Sequence, residues 1–108
     1  MDLGSLKRVH IVGIGGIGVS AVAKYLKVKG VVVTGSDAAH SDITHELIAL
    51  GIPVAVPYAQ SGVPRMADLL IYSEAVPTES PDREAARTRG VPDLRSTSKT
   101  TTSFSSVN

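Results

Sequence analysis

At 108 residues, with 43% hydrophobic and 19% charged side chains, the chain is long enough for one globular domain and too apolar to stay disordered. A formal net charge of +1, with basic and acidic residues interspersed, excludes the broad electrostatic footprint of a nucleic-acid or anionic-membrane binder. The absence of cysteine excludes disulfides, thiolate zinc sites and thiol nucleophiles, and suits a reducing compartment. With 4% aromatic residues, the core has to be built from Val, Ile, Leu and Ala, which favours an α/β interior.

The basic pair Lys7-Arg8 ahead of the apolar segment 9–23 has the outline of a signal peptide. Four glycines interrupt that segment, Lys24, Lys27 and Lys29 follow it, and no Ala-x-Ala pattern closes it. It is also too short to span a bilayer. The expectation is a soluble, cytoplasmic protein.

Residues 8–13 read as a nearly continuous apolar strand, the pattern of a parallel strand covered on both faces. From Gly16 the period becomes helical, with Ile17, Ala21, Leu26 and Val28 as the apolar set, lysines toward the C-terminal end and Gly30 as the stop. Residues 31–37, VVVTGSD, form a brief β-branched strand that ends in small and acidic residues. A second helix carries Ile43, Leu47 and Leu50 on one face, with Ser41 or Asp42 as cap and Gly51 as terminator. PVAV, residues 53–56, is a third strand, and Pro57, Gly62 and Pro64 make the connection to a fourth, residues 69–73, irregular. Ser80 as N-cap, Pro81 at the first helical position, Asp82 and Glu84 in the first turn and Gly90 beyond the end define a third helix. VPDLR, residues 91–95, is a weak fifth strand.

This alternation predicts an α/β fold: a Rossmann-like doubly wound parallel sheet of about five strands in a single domain, residues 1–95. In residues 96–108, nine of 13 are Ser or Thr, which cannot bury enough apolar area to offset ordering. That tail reads as a linker or a truncated remnant.

Gly13-Ile14-Gly15-Gly16-Ile17-Gly18 fits G-x-G-x-x-G between a strand and a helix, the context that gives the pattern meaning. Gly13 permits the sharp turn, Gly15 lets the main chain approach a phosphate, and Gly18 allows close helix-sheet packing. The helix start offers unpaired N–H groups and a positive dipole end to a diphosphate. Asp37, at the end of the second strand, is placed to accept hydrogen bonds from ribose hydroxyls. These features point to a nucleotide diphosphate and do not choose between NAD and a nucleotide sugar.

The segments VHIVGIGGIGVSAVAKYL, VTGSD, ALGIPV, ADLLIYSEAV and PDREAARTRGVP, spread over residues 8–95, together resemble the N-terminal domain of the muramyl ligases, in particular the UDP-N-acetylmuramate:L-alanine ligases of peptidoglycan synthesis. The resemblance implies that the domain binds the UDP part of UDP-N-acetylmuramic acid rather than NAD. It implies that Ile14, Gly15, Gly16, Ile17 and Gly18 contact the diphosphate, that Ser36 and Asp37 face the uridine, and that Ser73, Glu74 and Ala75 border the nucleotide. Where the family has Gly-His after the third strand this chain has Pro57-Tyr58, so a nucleobase contact there is by stacking on Tyr58. Where the family loop reads Ser-Ser-Ala it has Glu74, a carboxylate that repels a diphosphate unless it points away.

The family's ATP and magnesium belong to further domains that form an acyl phosphate for L-alanine to attack. STSKTTTSF, residues 96–104, echoes a phosphate loop but lacks the glycines that wrap N–H groups around a triphosphate, so no cofactor is expected on this chain. The remaining domains are expected to be absent, and the chain alone to be inactive. His10 reads as a buried, satisfied histidine, while His40, Asp42, His45 and Glu46, like Arg83, Arg87 and Arg89, read as solvated faces and not as a metal cluster. No catalytic constellation and no metal site emerge, which describes a segment that binds rather than catalyses. The alternatives are an NAD-binding domain of an oxidoreductase and a non-catalytic nucleotide-binding or interaction module.

Overall fold

Eight elements alternate along the chain: β1 (Arg8–Val12), α1 (Ile17–Val28), β2 (Val32–Ser36), α2 (Asp42–Ala49), β3 (Val54–Ala55), β4 (Leu69–Ser73), α3 (Pro81–Arg89) and β5 (Asp93–Ser96). The computed structural model describes residues 6–57, 63–64, 66–73, 76–77 and 79–96. The five strands form one sheet in the order β3-β2-β1-β4-β5, and every neighbouring pair is parallel. The described residues between β3 and β4 hold no helix, in keeping with the prolines there.

The pleat divides the strands' side chains between two cores. Val9 and Ile11 of β1, Val33 of β2, and Leu69 and Ile71 of β4 face one side, where they pack with Val19, Val22, Ala23 and Leu26 of α1 and Leu47 of α2. Val12 and Leu70 face the other, against Ala85 and Ala86 of α3. Both faces of β1 and β4 are thereby buried, which is why these strands read as apolar runs without alternation.

Two details of the helices correct the sequence reading. In α1 the buried stripe is Val19, Val22, Ala23 and Leu26, spaced i, i+3, i+4, i+7, whereas Ile17 and Val28 are each 84% exposed. Ile17, Ala21 and Val28 share a face, but at 3.6 residues per turn it is the face opposite the sheet. In α2, Leu47 is buried and Ile43 packs against the same core, while Leu50, just past the helix, is 48% exposed. The caps follow the sequence: Ser41 forms a capping box with Thr44, and Ser80 accepts from the Arg83 amide with Pro81 behind it. An ion pair between Lys24 and Glu46 ties α1 to α2.

Gly35 marks a close approach. An ideal Cβ there would lie 2.3 Å from Ile14 Cδ1 and 2.9 Å from Ile14 Cβ, so the side chain of Ile14 rests directly on the β2 backbone. Gly35→Ala is therefore expected to overpack this contact and lower stability by about 1–3 kcal/mol, read as a shift in the urea midpoint; an unchanged midpoint would contradict the contact.

Asp68 anchors the start of β1, its Oδ2 accepting the amides of Lys7 at 2.8 Å and Arg8 at 2.9 Å. Chiefly these two backbone hydrogen bonds hold its carboxyl below the ordinary carboxylate value. A depressed folded value means the contribution is complete above the unfolded value and disappears as pH falls through the folded one. Asp68→Asn, which mimics the protonated form, is expected to be less stable than the parent at pH 7, with the gap closing on acidification below the usual carboxylate range in denaturation series. A gap independent of pH would refute this role.

Candidate functional site

The site grows out of the first turn. Gly13 leaves β1 at φ +76°, a region that favours glycine, and a Cβ there would meet Ser73 Oγ and Val76 Cγ2 at 2.8 Å. The amides of Gly13 and Ile14 both donate to the Ser36 carbonyl, at 2.8 and 3.1 Å, and the Gly16 amide donates back to the Gly13 carbonyl at 3.1 Å. The turn is thereby pinned to the end of β2. Gly16 then caps α1 with no side-chain hydrogen bond, in contrast to Ser41 and Ser80 on the other two helices. The opening amides of α1 have no partner four residues back, and the dipole places partial positive charge beside them.

A pocket of about 360 Å³ opens here, lined by Gly13, Gly15, Gly16, Asp37, Ala39, His40, Ser41 and Ser73. Its walls come from the carboxyl ends of β1, β2 and β4. This is the topological switch point, where the chain order turns from β2 on one side of β1 to β4 on the other, and where open α/β sheets bind ligands. Asp37, the carboxylate expected to face a ribose, reaches across the turn: its Oδ2 accepts the Gly15 amide at 2.7 Å and its Oδ1 accepts the Ala38 amide at 2.7 Å.

Beneath the turn lies a buried polar network of which only the histidine was legible in the sequence. His10 is fully buried, as expected, with Nδ1 2.7 Å from Thr34 Oγ1 and Nε2 3.1 Å from Asp82 Oδ2. In the neutral ring Nε2–H donates to the carboxylate and Nδ1 accepts the threonine hydroxyl. The same Asp82 oxygen accepts the Ser36 hydroxyl at 2.6 Å. The sequence reading places Asp82 only as an acid in the first turn of the third helix, yet it is fully buried and links α3 to β1 and β2. The available signal was periodicity: Asp82 precedes the buried Ala85 and Ala86 by three and four residues, on the same face.

The structure redistributes the expected contacts. Gly13, Gly15, Gly16, Asp37 and Ser73 line the pocket. Ser36 does not face it with its side chain, because the hydroxyl turns inward to Asp82 and only the carbonyl serves the turn. Ile14 is fully buried over Gly35, whereas Ile17 and Gly18 sit exposed at the start of α1, so both isoleucines bring the turn only their backbone. Gly18, read as the close-packing glycine, is exposed, and Gly35 performs that task. Tyr58, Glu74 and Ala75 lie outside the described residues, as do residues 97–108 of the Ser/Thr-rich tail.

His40, taken for a solvated face, lines the pocket and stacks on His45 with ring centroids 5.2 Å apart. Ala39 and Ser41 also line it; the sequence offered only their position after a strand end. Arg83 and Arg89 are engaged rather than free. The Arg83 guanidinium lies 3.7 Å from the centre of the Tyr72 ring, and Arg89 donates to the Val63 carbonyl at 2.7 Å. Among the described residues no group of three His, Asp or Glu is placed to share a metal ion, and no helix is long and apolar enough to cross a membrane.

An all-parallel 3-2-1-4-5 sheet with a glycine turn and an open helix start at its switch point defines a Rossmann-like domain. Residues 8–99 match the family model described as the catalytic domain of the Mur ligase family, and the chain belongs to that family. It is 41% identical over 86 residues to a UDP-N-acetylmuramate–L-alanine ligase of Campylobacter jejuni, covering 80% of this chain and 20% of that protein. The crystal structure of a UDP-N-acetylmuramate–alanine ligase from Thermotoga maritima superposes with a TM-score of 0.83 at 35% identity, over 94% of this chain and 22% of that one. A UDP-N-acetylmuramate:L-alanyl-gamma-D-glutamyl-meso-diaminopimelate ligase from Neisseria meningitides follows with a TM-score of 0.74 at 28% identity, over 84% and 29% of the two chains. The chain thus spans about a fifth of the length of the curated relatives it matches.

Asp82→Ala leaves the His10 ring and the Ser36 hydroxyl facing an apolar methyl. Each buried donor stranded in this way costs about 1–3 kcal/mol, so a clear drop in thermal and urea stability is expected. Parent-like stability would show that the network does not hold the turn.

Proposed function

We propose that this chain holds the UDP part of UDP-N-acetylmuramic acid, as the N-terminal domain of an ATP-dependent ligase that joins this substrate to L-alanine in peptidoglycan synthesis in the bacterial cytoplasm. The observation that carries the reading is the pocket at the switch point, where glycine backbone, the uncapped start of α1 and the Asp37 carboxylate converge. A diphosphate at the opening amides of α1 gains charge-assisted hydrogen bonds and the dipole's positive end. Asp37 then takes the ribose hydroxyls, and Ser73 with Glu74 and Ala75 is proposed to border the nucleotide. Tyr58 is the stacking surface for the base.

In this reading the domain anchors the substrate by its nucleotide and contributes no catalytic group. Activation of the muramyl carboxylate by ATP and magnesium falls to other parts of such ligases. The segment STSKTTTSF lacks the glycines of a phosphate loop, so no ATP contact is assigned to it.

Titration of the 108-residue chain with UDP-N-acetylmuramic acid, followed by backbone amide NMR, is expected to move the signals of Gly13 to Gly18. NADH at the same concentration is expected to leave them in place. Movement with NADH alone would reassign the site to a dinucleotide, and silence with both would favour a non-catalytic interaction module. Gly15→Val is expected to abolish binding, because its Cβ would sit 2.7 Å from Asp37 Oδ2 and 3.2 Å from Thr44 Cγ2, on the phosphate side of the turn. Normal binding by that variant would refute the placement.

A further inference from the structure

The second glycine of the turn bares its N–H toward the place where a phosphate is expected, and that N–H is already bonded. Asp37 Oδ2 accepts it at 2.7 Å, while Oδ1 is held by the Ala38 amide at 2.7 Å and the Asp37 amide donates to the Ala55 carbonyl at 3.0 Å. The lack of a side chain at Gly15 is what admits the carboxylate, since a Cβ would lie 2.7 Å from Oδ2. The start of α2 walls the same point, with Thr44 Cγ2 3.2 Å and Ser41 Oγ 3.4 Å from it. One N–H donates to one anion at a time, and two anions at hydrogen-bonding distance of the same group repel each other strongly away from bulk water.

We infer that Asp37 is a built-in occupant of the diphosphate site and, through that occupancy, a specificity-determining residue: it selects nucleoside diphosphates against inorganic pyrophosphate. An incoming diphosphate has to displace the carboxylate from Gly15. A nucleoside diphosphate gives the displaced carboxylate new donors, the vicinal hydroxyls of its ribose, and recovers the lost bonds. Inorganic pyrophosphate offers none and leaves a repelled carboxylate beside it. Discrimination of this kind works by the penalty it places on the wrong ligand rather than by extra contacts to the right one. The inference rests on the UDP reading above and deepens it.

The test compares the 108-residue chain with Asp37→Asn and Asp37→Ala, measuring dissociation constants for inorganic pyrophosphate and for UDP by calorimetry. Both variants are expected to bind pyrophosphate about tenfold more tightly than the parent, as a removed charge-assisted competitor would allow. UDP affinity is expected to fall or hold, so that the preference for UDP collapses by at least about that factor. In the parent, saturating UDP is expected to shift the Gly15 and Ala38 amide signals together, since both share the departing carboxylate. This readout needs no variant to fold.

Pyrophosphate affinity unchanged or weakened in variants with parent-like amide dispersion would overturn the inference. So would a UDP titration that moves Gly15 and leaves Ala38 still. If UDP binds the parent and these outcomes follow, the UDP reading stands and only the role of Asp37 falls. If the parent binds neither ligand, both fall.

Discussion

The Ser36 carbonyl accepts two amides at once, from Gly13 and Ile14, and the geometry of the site depends on that pair of hydrogen bonds. It joins the end of β2 to the turn that leaves β1, so the glycine loop inherits the rigidity of two neighbouring strands. Ser36 is itself held from behind, its hydroxyl on Asp82 and Asp82 on His10, which stands two residues before the end of β1. A helix on one face of the sheet thereby fixes a turn that serves the opposite rim. Function-bearing backbone is held in this way by groups that never meet a ligand, the arrangement expected wherever donors must be aimed before anything binds.

The sheet makes the arrangement possible because its two faces do different work. The face toward α1 and α2 is apolar throughout, with Ile14 seated on Gly35 so that the turn folds down onto β2. The face toward α3 mixes Val12 and Leu70 with a polar cluster of buried His10, Ser36 and Asp82 and half-buried Thr34. Buried polar groups are costly unless paired. Here one Asp82 oxygen joins His10 and Ser36 across three elements, while its other oxygen has no hydrogen-bond partner among the described residues, and the bonded part gives α3 one register on the sheet that a purely apolar face would leave less specified.

Much of this was legible in the sequence. Strands β1 and β4 could be read because both faces are buried and the runs are aliphatic, β2 because its short run is β-branched, and α2 and α3 because Ser41, Ser80 and Pro81 are strong local start signals. The turn was legible because glycine spacing is a backbone property written directly in the chain. The face of α1 was misread because Ile17 and Val28 outweigh Ala23 in hydrophobicity, although only the sheet decides which stripe is covered. Asp82 and the inward turn of Ser36 escaped because a buried acid is identified by its partners, and these lie 72 and 46 residues away in sequence. The seat of Asp37 on Gly15 was hidden for a related reason: sequence spacing placed the carboxylate at the right strand end without fixing which donor it meets.

Membership of the Mur ligase family and the superposition on the Thermotoga maritima ligase fix the frame, while the nucleotide itself is the element that most needs direct observation. A crystal structure of the 108-residue chain grown with UDP provides it. The account predicts the diphosphate within hydrogen-bonding distance of the opening amides of α1, with Asp37 turned from Gly15 to the ribose hydroxyls. UDP bound elsewhere, with the Gly15–Asp37 bond intact and no phosphate at the turn, would contradict it.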